Sequence, residues 1–248
     1  MTKTKTYFAS DFHLGLDLDI SSKDREKIIV KWLESIKSDA CALYLVGDVF
    51  DHWFEYKKVV PKGYMRFFGK LAELSDAGVK IYFFKGNHDM WVFNYFNQEL
   101  DITIYDNEVV HEMDGQRFYI THGDGLGKGD QSYKFIKAIL RNPFSQWLYS
   151  IIHPTWGLAL MKLMSMRSRD THAHSKDSKD SKEQSILLNH AEQVSQNIDF
   201  FICGHMHSPQ LKTLSDGSTI YCNLGDWMTH FSYGVWDGAT LKLEKYSG

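Results

Sequence analysis

The sequence has little cysteine and no excess of positive charge. Its three cysteines, Cys41, Cys203 and Cys222, lie in apolar runs without CxxC spacing, so we expect reduced core thiols in a cytosolic protein. The formal net charge of −3 over 248 residues gives no basic surface for duplex nucleic acid, and we expect no such partner. No protein partner is evident either.

Long uninterrupted apolar segments are also missing. The N-terminal run MTKTKTYFASD has no apolar h-region of a secretory signal before a charged residue, so we expect a cytoplasmic protein. Residues 143–161 lack Asp, Glu, Lys and Arg, yet Pro143, Gln146, His153 and Pro154 interrupt this stretch. The interruption favours two short helices over a membrane-spanning helix.

What the sequence does contain is a series of β-rich runs, each followed by a side chain that can bind a metal. The runs are TYFAS, CALYLVG, KIYFFKG, RFYIT and DFFICG, and their composition is typical of buried strands. The residues that follow them are Asp11, His13, Asp48, Asn87, His88, His122, His205 and His207. One such residue alone is more often an ordinary turn residue, but the repeated position at strand ends favours a common site.

Helical patterns separate these strands. Residues 22–37, with Ser22 as the candidate N-cap, and residues 62–77 both place apolar side chains at helical spacing. Asp89 can orient His88 or cap a helix in MWVFNYFNQEL, and we favour capping. The alternation predicts a single α/β domain over residues 1–248, with its functional groups at the strand ends.

The candidate ligands indicate the chemistry. Carboxylate, imidazole and amide oxygen without thiolate suit Mn²⁺, Fe²⁺ or Zn²⁺, and the set is larger than one ion requires. Two ions that share a bridging carboxylate activate water and stabilise an in-line displacement at phosphorus. We therefore expect two-metal phosphoester hydrolysis. Asn223 and Asp226, in YCNLGDW, can line the same site or form a turn.

The ordered set D-x-H (11–13), G-D-x-x-D (47–51), G-N-H-D (86–89), His122 and G-H-x-H (204–207) resembles the calcineurin-like metallophosphoesterase family. This resemblance implies an αββα sandwich of two mixed sheets flanked by helices. It also implies one ion on Asp11, His13, Asp48 and His207 and another on Asp48, Asn87, His122 and His205. Asp48 would bridge the ions, His88 would protonate the leaving oxygen or stabilise phosphoryl charge, and Asp51 would orient the His88 ring.

Residues 130–190 lie between two candidate ligands and do not continue the strand–helix pattern. We interpret residues 131–169 as two short helices, followed by a mobile polar loop in THAHSKDSKDSKEQS. The apolar helices can simply pack on the sandwich, or they can form a lid that receives acyl chains and meets lipid headgroups with its basic rim. Beside a metal site we favour the lid.

The run HGDGLGKGDQSYKFIKAILRNPFSQWLY, with the later MRS, resembles the helical insertion of UDP-2,3-diacylglucosamine hydrolases of lipid A biosynthesis. That resemblance implies release of UMP and 2,3-diacylglucosamine 1-phosphate, with manganese at the site. It further implies a peripheral position on the cytoplasmic face of the inner membrane. This chain departs from the subfamily at one motif position, because it has His88 where those proteins have arginine after the motif asparagine. The implied substrate contacts are Asn87, Asp130, Tyr133, Arg167, Lys176 and Lys182.

Two other functions stay open at this point. One is a soluble phosphodiesterase or phosphatase for nucleotides, phosphoproteins or single-stranded nucleic acid, and the apolar insertion argues against it. The other is a scaffold that has lost catalysis, and the complete ligand set argues against that. We expect the diphosphatase.

Overall fold

The structure is a computed structural model that describes residues 3–127, 131–173 and 176–248. For residue 132 and the helical residues between 166 and 183 it describes the backbone alone. The helices are α1 (Ser22–Ile36), α2 (Met65–Asp76), α3 (Tyr95–Leu100), α4 (Gln131–Arg141), α5 (Pro143–Ser150), α6 (Pro154–Ala173) and α7 (Lys176–Val194). The strands are β1 (Lys5–Ala9), β2 (Ala40–Val46), β3 (Lys80–Phe84), β4 (Thr103–Tyr105), β5 (Val109–Met113), β6 (Gln116–Ile120), β7 (Phe200–Cys203), β8 (Gln210–Thr213), β9 (Ile220–Asn223), β10 (Ser232–Trp236) and β11 (Leu241–Lys245).

The strands form two mixed sheets. The first has the order β11-β10-β1-β2-β3-β4, and the second has the order β5-β6-β7-β9-β8. In the first sheet β1, β2, β3 and β4 are parallel to one another; in the second, β6, β7 and β9 are parallel. Because parallel strands end at the same edge of a sheet, the loops after these strands are brought together.

Three apolar layers hold the sheets and helices in place. Between the sheets, Phe8 and Phe84 pack with Phe118 and Ile202. On the outer face of the first sheet, Trp32 of α1 belongs to a cluster with side chains of α2 and α3; on the outer face of the second, α7 contributes residues to another cluster. Successive strand residues point to opposite faces, so both sheets are covered on both sides. The predicted αββα sandwich is confirmed.

The strand predictions are confirmed, and two local predictions are wrong. Ser21, not Ser22, caps α1, and its side chain accepts a hydrogen bond from the Asp24 amide. The Ser22 hydroxyl instead accepts a hydrogen bond from the Gly15 amide at 2.7 Å. Asp89 caps no helix, because the next helix begins only at Tyr95 after Asn94.

The segment between β6 and β7 is more helical than predicted. It contains α4 to α7, so residues 131–173 form three helices instead of two, and the run predicted as a loop is helical wherever the structure describes it. Pro143 and Pro154 begin helices, a position that tolerates proline because the first amides have no helical acceptor. In the ranges described, no helix combines the length and the apolar character that a membrane crossing needs.

Candidate metal centre

The loops after β1, β2, β3, β6 and β7 place ligand-type atoms in adjacent groups. In each of two groups the ligand atoms all lie within 4.8 Å of one another. One group is Asp11, His13 and His207, and the other is Asp48, His122 and His205. A further group, His13, Asp51 and His88, meets the same distance limit. The structure therefore brings together the residues that the strand-end pattern selected.

The first group contains two imidazoles that face each other. The Nε2 atoms of His13 and His207 lie 3.3 Å apart, and His207 Nε2 lies 3.1 Å from Asp11 Oδ1. Among the described residues, no donor meets this buried Oδ1 atom with hydrogen-bond geometry. A buried carboxylate oxygen without a donor beside two inward imidazole nitrogens fits a divalent cation.

The second group is oriented by the backbone behind it. His122 Nδ1 lies 2.9 Å from the Val46 carbonyl oxygen, so this nitrogen carries the proton and donates, which leaves the Nε2 lone pair for the site. His122 Nε2 lies 3.4 Å from Asp48 Oδ2 and 3.2 Å from Asn87 Oδ1. These distances converge on a second position that nitrogen and oxygen ligands can share.

Asp48 lies between the two groups. Its Oδ2 atom is 3.4 Å from His122 Nε2 and 3.7 Å from His13 Nε2. Its Oδ1 atom accepts a hydrogen bond of 2.8 Å from the His88 amide, which fixes the carboxylate plane. Asp48 is thus the carboxylate placed to touch an ion in either group.

The electrostatics of the buried groups favour cation binding. Burial alone would raise the pKa of Asp48, but His122 and His88 outweigh it and hold the pKa well below the usual range. Burial lowers the pKa of His205 to about 4, with repulsion from His122 acting in the same direction. Burial opposes protonation of His122, yet Asp48 raises the pKa of His122 to about 10. Without a cation the His205 ring is therefore neutral, and the His122 ring shares a proton with Asp48 that a bound cation would replace at His122 Nε2.

Several of these residues hold a backbone conformation that side chains rarely adopt. The φ angles are 56° at Asp11, 43° at His13, 51° at Asp48, 69° at His205 and 51° at His207. Positive φ costs an ordinary residue about 1–3 kcal/mol and is concentrated at functional sites. The surrounding sheets maintain this strain, which turns the side chains inward directly after the strands end.

Two motif glycines are required by close approach. A Cβ atom at Gly86 would lie 2.1 Å from Asp48 Oδ1, and one at Gly204 would lie 2.5 Å from Asp11 Oδ2. Neither distance is possible between real atoms, so any larger residue would displace the carboxylate. The glycines of G-N-H-D and G-H-x-H let the backbone of one loop pass against the candidate ligand of another.

His88 is held beside the first group, and Asp51 holds it differently from the prediction. His88 Nδ1 donates to the Asp51 carbonyl oxygen at 2.9 Å, whereas the Asp51 carboxylate is 3.6 Å away. The same carboxylate lies 3.3 Å from His13 Nδ1, and its other oxygen accepts a hydrogen bond of 3.3 Å from Ser165 of α6. Asp51 thus connects both imidazoles to the helical segment.

Asp89 is the residue whose role the sequence interpretation missed. It is fully buried, and its carboxylate accepts hydrogen bonds from the amides of Gly86 and Val49 at 2.8 Å and of Phe50 at 3.3 Å. Burial and the negative charge of Asp48 raise the pKa of Asp89 to about 7. Asp89 therefore joins the loop after β2 to the loop after β3. A pairing between loops 40 positions apart in the chain leaves no local sequence signal.

The residues expected to contact substrate are only partly described. Asn87 lies in the second group, and the Tyr133 hydroxyl donates to Asp124 Oδ2 at 2.6 Å. Asp124, which the sequence interpretation did not select, also forms an ion pair with Lys137 at 2.5 Å; its only sequence signal is its place in HGDG after the ligand histidine. Asp130 and the side chains of Arg167, Lys176 and Lys182 lie outside the described residues.

Asn223 is the last residue of β9, and Asp226 lies in the loop that follows it. Asn223 donates to the Gly204 carbonyl oxygen at 3.0 Å, which supports the loop that carries His205. Asp226 accepts hydrogen bonds from the amides of Met228 and Thr229. Of the two interpretations left open, the turn is the one that these contacts support.

Comparison with known proteins gives a consistent family. The model of the calcineurin-like phosphoesterase family matches residues 4–209. A protein of Porphyromonas gingivalis named UDP-2,3-diacylglucosamine hydrolase is 38% identical over 98% of this chain and 97% of its own length. Proteins of the same name from Proteus mirabilis and Vibrio atlanticus are 30% identical over 92% of both chains and 27% identical over 97% of this chain and 96% of theirs.

Proposed function

Because this chain belongs to the calcineurin-like phosphoesterase family, and is a metal-dependent hydrolase, we propose that it cleaves the diphosphate of UDP-2,3-diacylglucosamine. The products are UMP and 2,3-diacylglucosamine 1-phosphate, which places the reaction in lipid A biosynthesis. The observation that carries the choice of substrate is the 38% identity, over nearly the whole of both chains, to a hydrolase of that name. The observation that supports the reaction type is the central position of Asp48 between two groups of ligand atoms.

The proposed ligands divide between two ions. Asp11, His13, Asp48 and His207 hold one ion, and Asp48, Asn87, His122 and His205 hold the other. When bound, the ions supply an activated water and neutralise charge on the phosphoryl oxygens. We infer that Mn²⁺ occupies the site, with Fe²⁺ and Zn²⁺ as the alternatives compatible with nitrogen and oxygen ligands.

His88 is the proposed proton donor to the leaving oxygen. Its Nδ1 proton is engaged by the Asp51 carbonyl oxygen, so Nε2 is the atom that can exchange a proton with the substrate. The side chain is partly exposed, at 20%, and its ring centroid lies 4.8 Å from that of His13. Asp51 acts through His88 and His13 as a positioning residue.

Asn87, Asp130, Tyr133, Arg167, Lys176 and Lys182 are the proposed contacts to the glucosamine and phosphate groups. We propose that the helical segment, residues 130–190 of the single domain, forms a lid over the site. The contact of Ser165 with Asp51 and the hydrogen bond of Tyr133 to Asp124 support this placement.

The outer side of the lid is the proposed contact with the cytoplasmic face of the inner membrane. Most of the large exposed apolar side chains of the described residues lie there, including Phe144, Trp147 at 58% exposure and Trp156 at 72%. Exposed apolar clusters of this kind are typical of interfaces with lipid or protein.

The function is tested by phosphorus NMR of the purified protein with Mn²⁺ and UDP-2,3-diacylglucosamine. We expect the two diphosphate signals to be replaced by two monophosphate signals, one from UMP and one from the lipid product. Chelation of the metal should stop the conversion, and added Mn²⁺ should restore it. If the diphosphate signals persist with the metal-loaded protein, the proposed substrate is wrong.

A further inference from the structure

A cavity of about 320 Å³, lined by charged, polar and apolar side chains, adjoins the candidate metal centre. Thr121 and His122 form one wall, the turn Asp106–Glu108 after β4 forms another, and one face of α4 closes it. His122 belongs to both places, because its Nε2 atom lies 3.4 Å from Asp48 while the residue lines the cavity. A ligand in this cavity would therefore lie next to the proposed ions, on the other side of His122.

The helix that closes the cavity has its polar side turned inward. Lys134, Lys137, Ala138 and Arg141 share one face of α4 at helical spacing and line the cavity. Phe135 and Ile136, on the other side, are 67% and 53% exposed. The exposed apolar side chains belong to the proposed membrane contact, and the polar face of α4 is the one that lines the cavity.

The lining carries charges of both signs that nearly balance. It includes four cationic side chains and three carboxylates: Lys85, Lys134, Lys137 and Arg141, with Asp106, Glu108 and Asp124. Lys85 pairs with Asp106, Lys137 pairs with Asp124, and Arg141 donates to Asn107 Oδ1 at 3.2 Å. The lining also includes Phe84, Leu126 and Ala138, so it offers hydrogen-bonding groups and apolar surface together, which a nucleoside can use and an acyl chain cannot use fully. Its near balance of charge also sets it apart from a simple phosphate site.

A nucleoside has the matching chemistry. Uracil carbonyl oxygens accept hydrogen bonds from cationic side chains, and ribose hydroxyls donate to carboxylates. The volume lies at the lower end of the range for small-ligand pockets, about 300–1,000 Å³, which suits a compact ligand. We propose that this cavity binds the uridine of the nucleotide half, with its phosphate on the metal centre. The inference rests on the proposed function and assigns a separate place to the half of the substrate that bears no lipid.

Calorimetry of the Mn²⁺-loaded protein tests this binding site without any turnover. The two titrants are UMP and inorganic phosphate, since the difference between their affinities isolates the uridine. We expect UMP to bind the unmodified protein at least tenfold more tightly than phosphate. Ala138→Phe, which fills the cavity, and Arg141→Met, which removes its donors, should each weaken UMP binding about tenfold, or about 1.4 kcal/mol, and leave phosphate binding within twofold.

Matched variants on α6 provide the controls. Ala159→Phe and Lys162→Met make the same kinds of change at exposed positions of the same helical segment, outside the cavity, and should leave both affinities unchanged. Equal affinity of the unmodified protein for UMP and phosphate would overturn the proposal. So would a preference for UMP that survives both cavity variants. Failure to cleave the lipid substrate would instead count against the proposed function, because UMP binding is measured independently of it.

Discussion

Binding of both proposed ions depends on Asp48. Replacing it with alanine removes the carboxylate that lies within 3.7 Å of both His13 and His122. We expect Asp48→Ala to contain fewer than two metal ions per chain by elemental analysis and to lose hydrolytic activity. Asp76→Ala, an exposed carboxylate at the end of α2, should keep both. Two ions and unmodified turnover in Asp48→Ala would contradict the bridging role.

Substitution of His88 should impair catalysis without affecting metal binding. His88→Ala is expected to keep its metal content and to lose roughly 10²–10⁴-fold in turnover, the usual contribution of general acid catalysis. A substrate with an activated leaving group should recover much of that loss, because such a group leaves without a proton. His88→Arg keeps positive charge and donors but cannot transfer a proton. Equal losses for poor and activated leaving groups would indicate charge stabilisation alone.

At the scale of the residue, the sequence predicted which candidate ligands lie together better than it predicted their geometry. Asp11, His13, Asp48, Asn87, His122, His205 and His207 all follow strands, and the structure brings them together. The role of Asp89 was not predictable, because its partners Val49 and Phe50 lie on another loop. The left-handed backbone at Asp48 and His205 was equally hidden, since neither residue type signals it as glycine does.

Among the structural elements, the loop after β3 requires glycine at position 86, because no side chain fits there. Gly86→Ala would place a Cβ atom 2.1 Å from Asp48 Oδ1, so we expect loss of metal and of activity. Gly69→Ala is the matched control, since its Cβ meets nothing within 4 Å. In the interior of α2 it should stabilise the fold by about 0.8–1 kcal/mol, measured by denaturant unfolding. Metal retained in Gly86→Ala would show that the loop can move.

The contact between α6 and Asp51 should couple the lid to the metal centre. Ser165→Ala removes a hydrogen bond to the Asp51 carboxylate that is worth about 1 kcal/mol. We expect about a fivefold loss in kcat, little change in KM or melting temperature, and a shifted pH–rate profile. Ser165→Thr keeps the hydroxyl and should recover activity. A loss of melting temperature with an unchanged pH profile would indicate packing alone.

The elements also show where sequence patterns mislead. Pro143 and Pro154 divide the apolar run as predicted, because they begin α5 and α6, but residues 131–173 form three helices instead of two. The polar run before Ile186 was interpreted as a loop, although Lys, Glu and Gln favour helices, and it continues into the part of α7 where Leu187 and Ala191 are buried. Periodicity predicted α1 and α2 because their apolar faces pack on a sheet, whereas Phe135 and Ile136 of α4 are exposed.

At the scale of the whole molecule, substitutions in the proposed lid should reduce activity on the lipid substrate and barely change activity on soluble ones. Replacing Trp147 and Leu148 with serine removes exposed apolar groups, each worth about 1.5–3 kcal/mol when buried. We expect roughly a 10–200-fold loss in kcat/KM for the lipid substrate and weaker binding to anionic vesicles. High salt should weaken vesicle binding of the unmodified protein. Hydrolysis of a small phosphodiester and the melting temperature should barely change.

Leu211→Ser provides the comparison, because Leu211 is an exposed apolar residue of β8, outside the lid. It should leave lipid activity and vesicle binding unchanged. Met161 is unsuitable for the same purpose, since it packs against the buried cluster of Phe54 and Trp91. If the Trp147 and Leu148 variant loses lipid and soluble activity equally, with a lower melting temperature, these residues serve the fold.

The whole molecule combines a candidate metal centre, a cavity beside it and a proposed lid with exposed apolar side chains. One comparison of substrates tests whether these features act together. The measurement is kcat/KM of the Mn²⁺-loaded protein for UDP-2,3-diacylglucosamine, for its deacylated analogue and for an aryl phosphodiester. We predict the highest value for the acylated substrate, a loss of at least tenfold on deacylation and a low value for the aryl diester. Equal values for the acylated and deacylated compounds, or hydrolysis of the aryl diester alone, would contradict a hydrolase of lipid-linked UDP sugar.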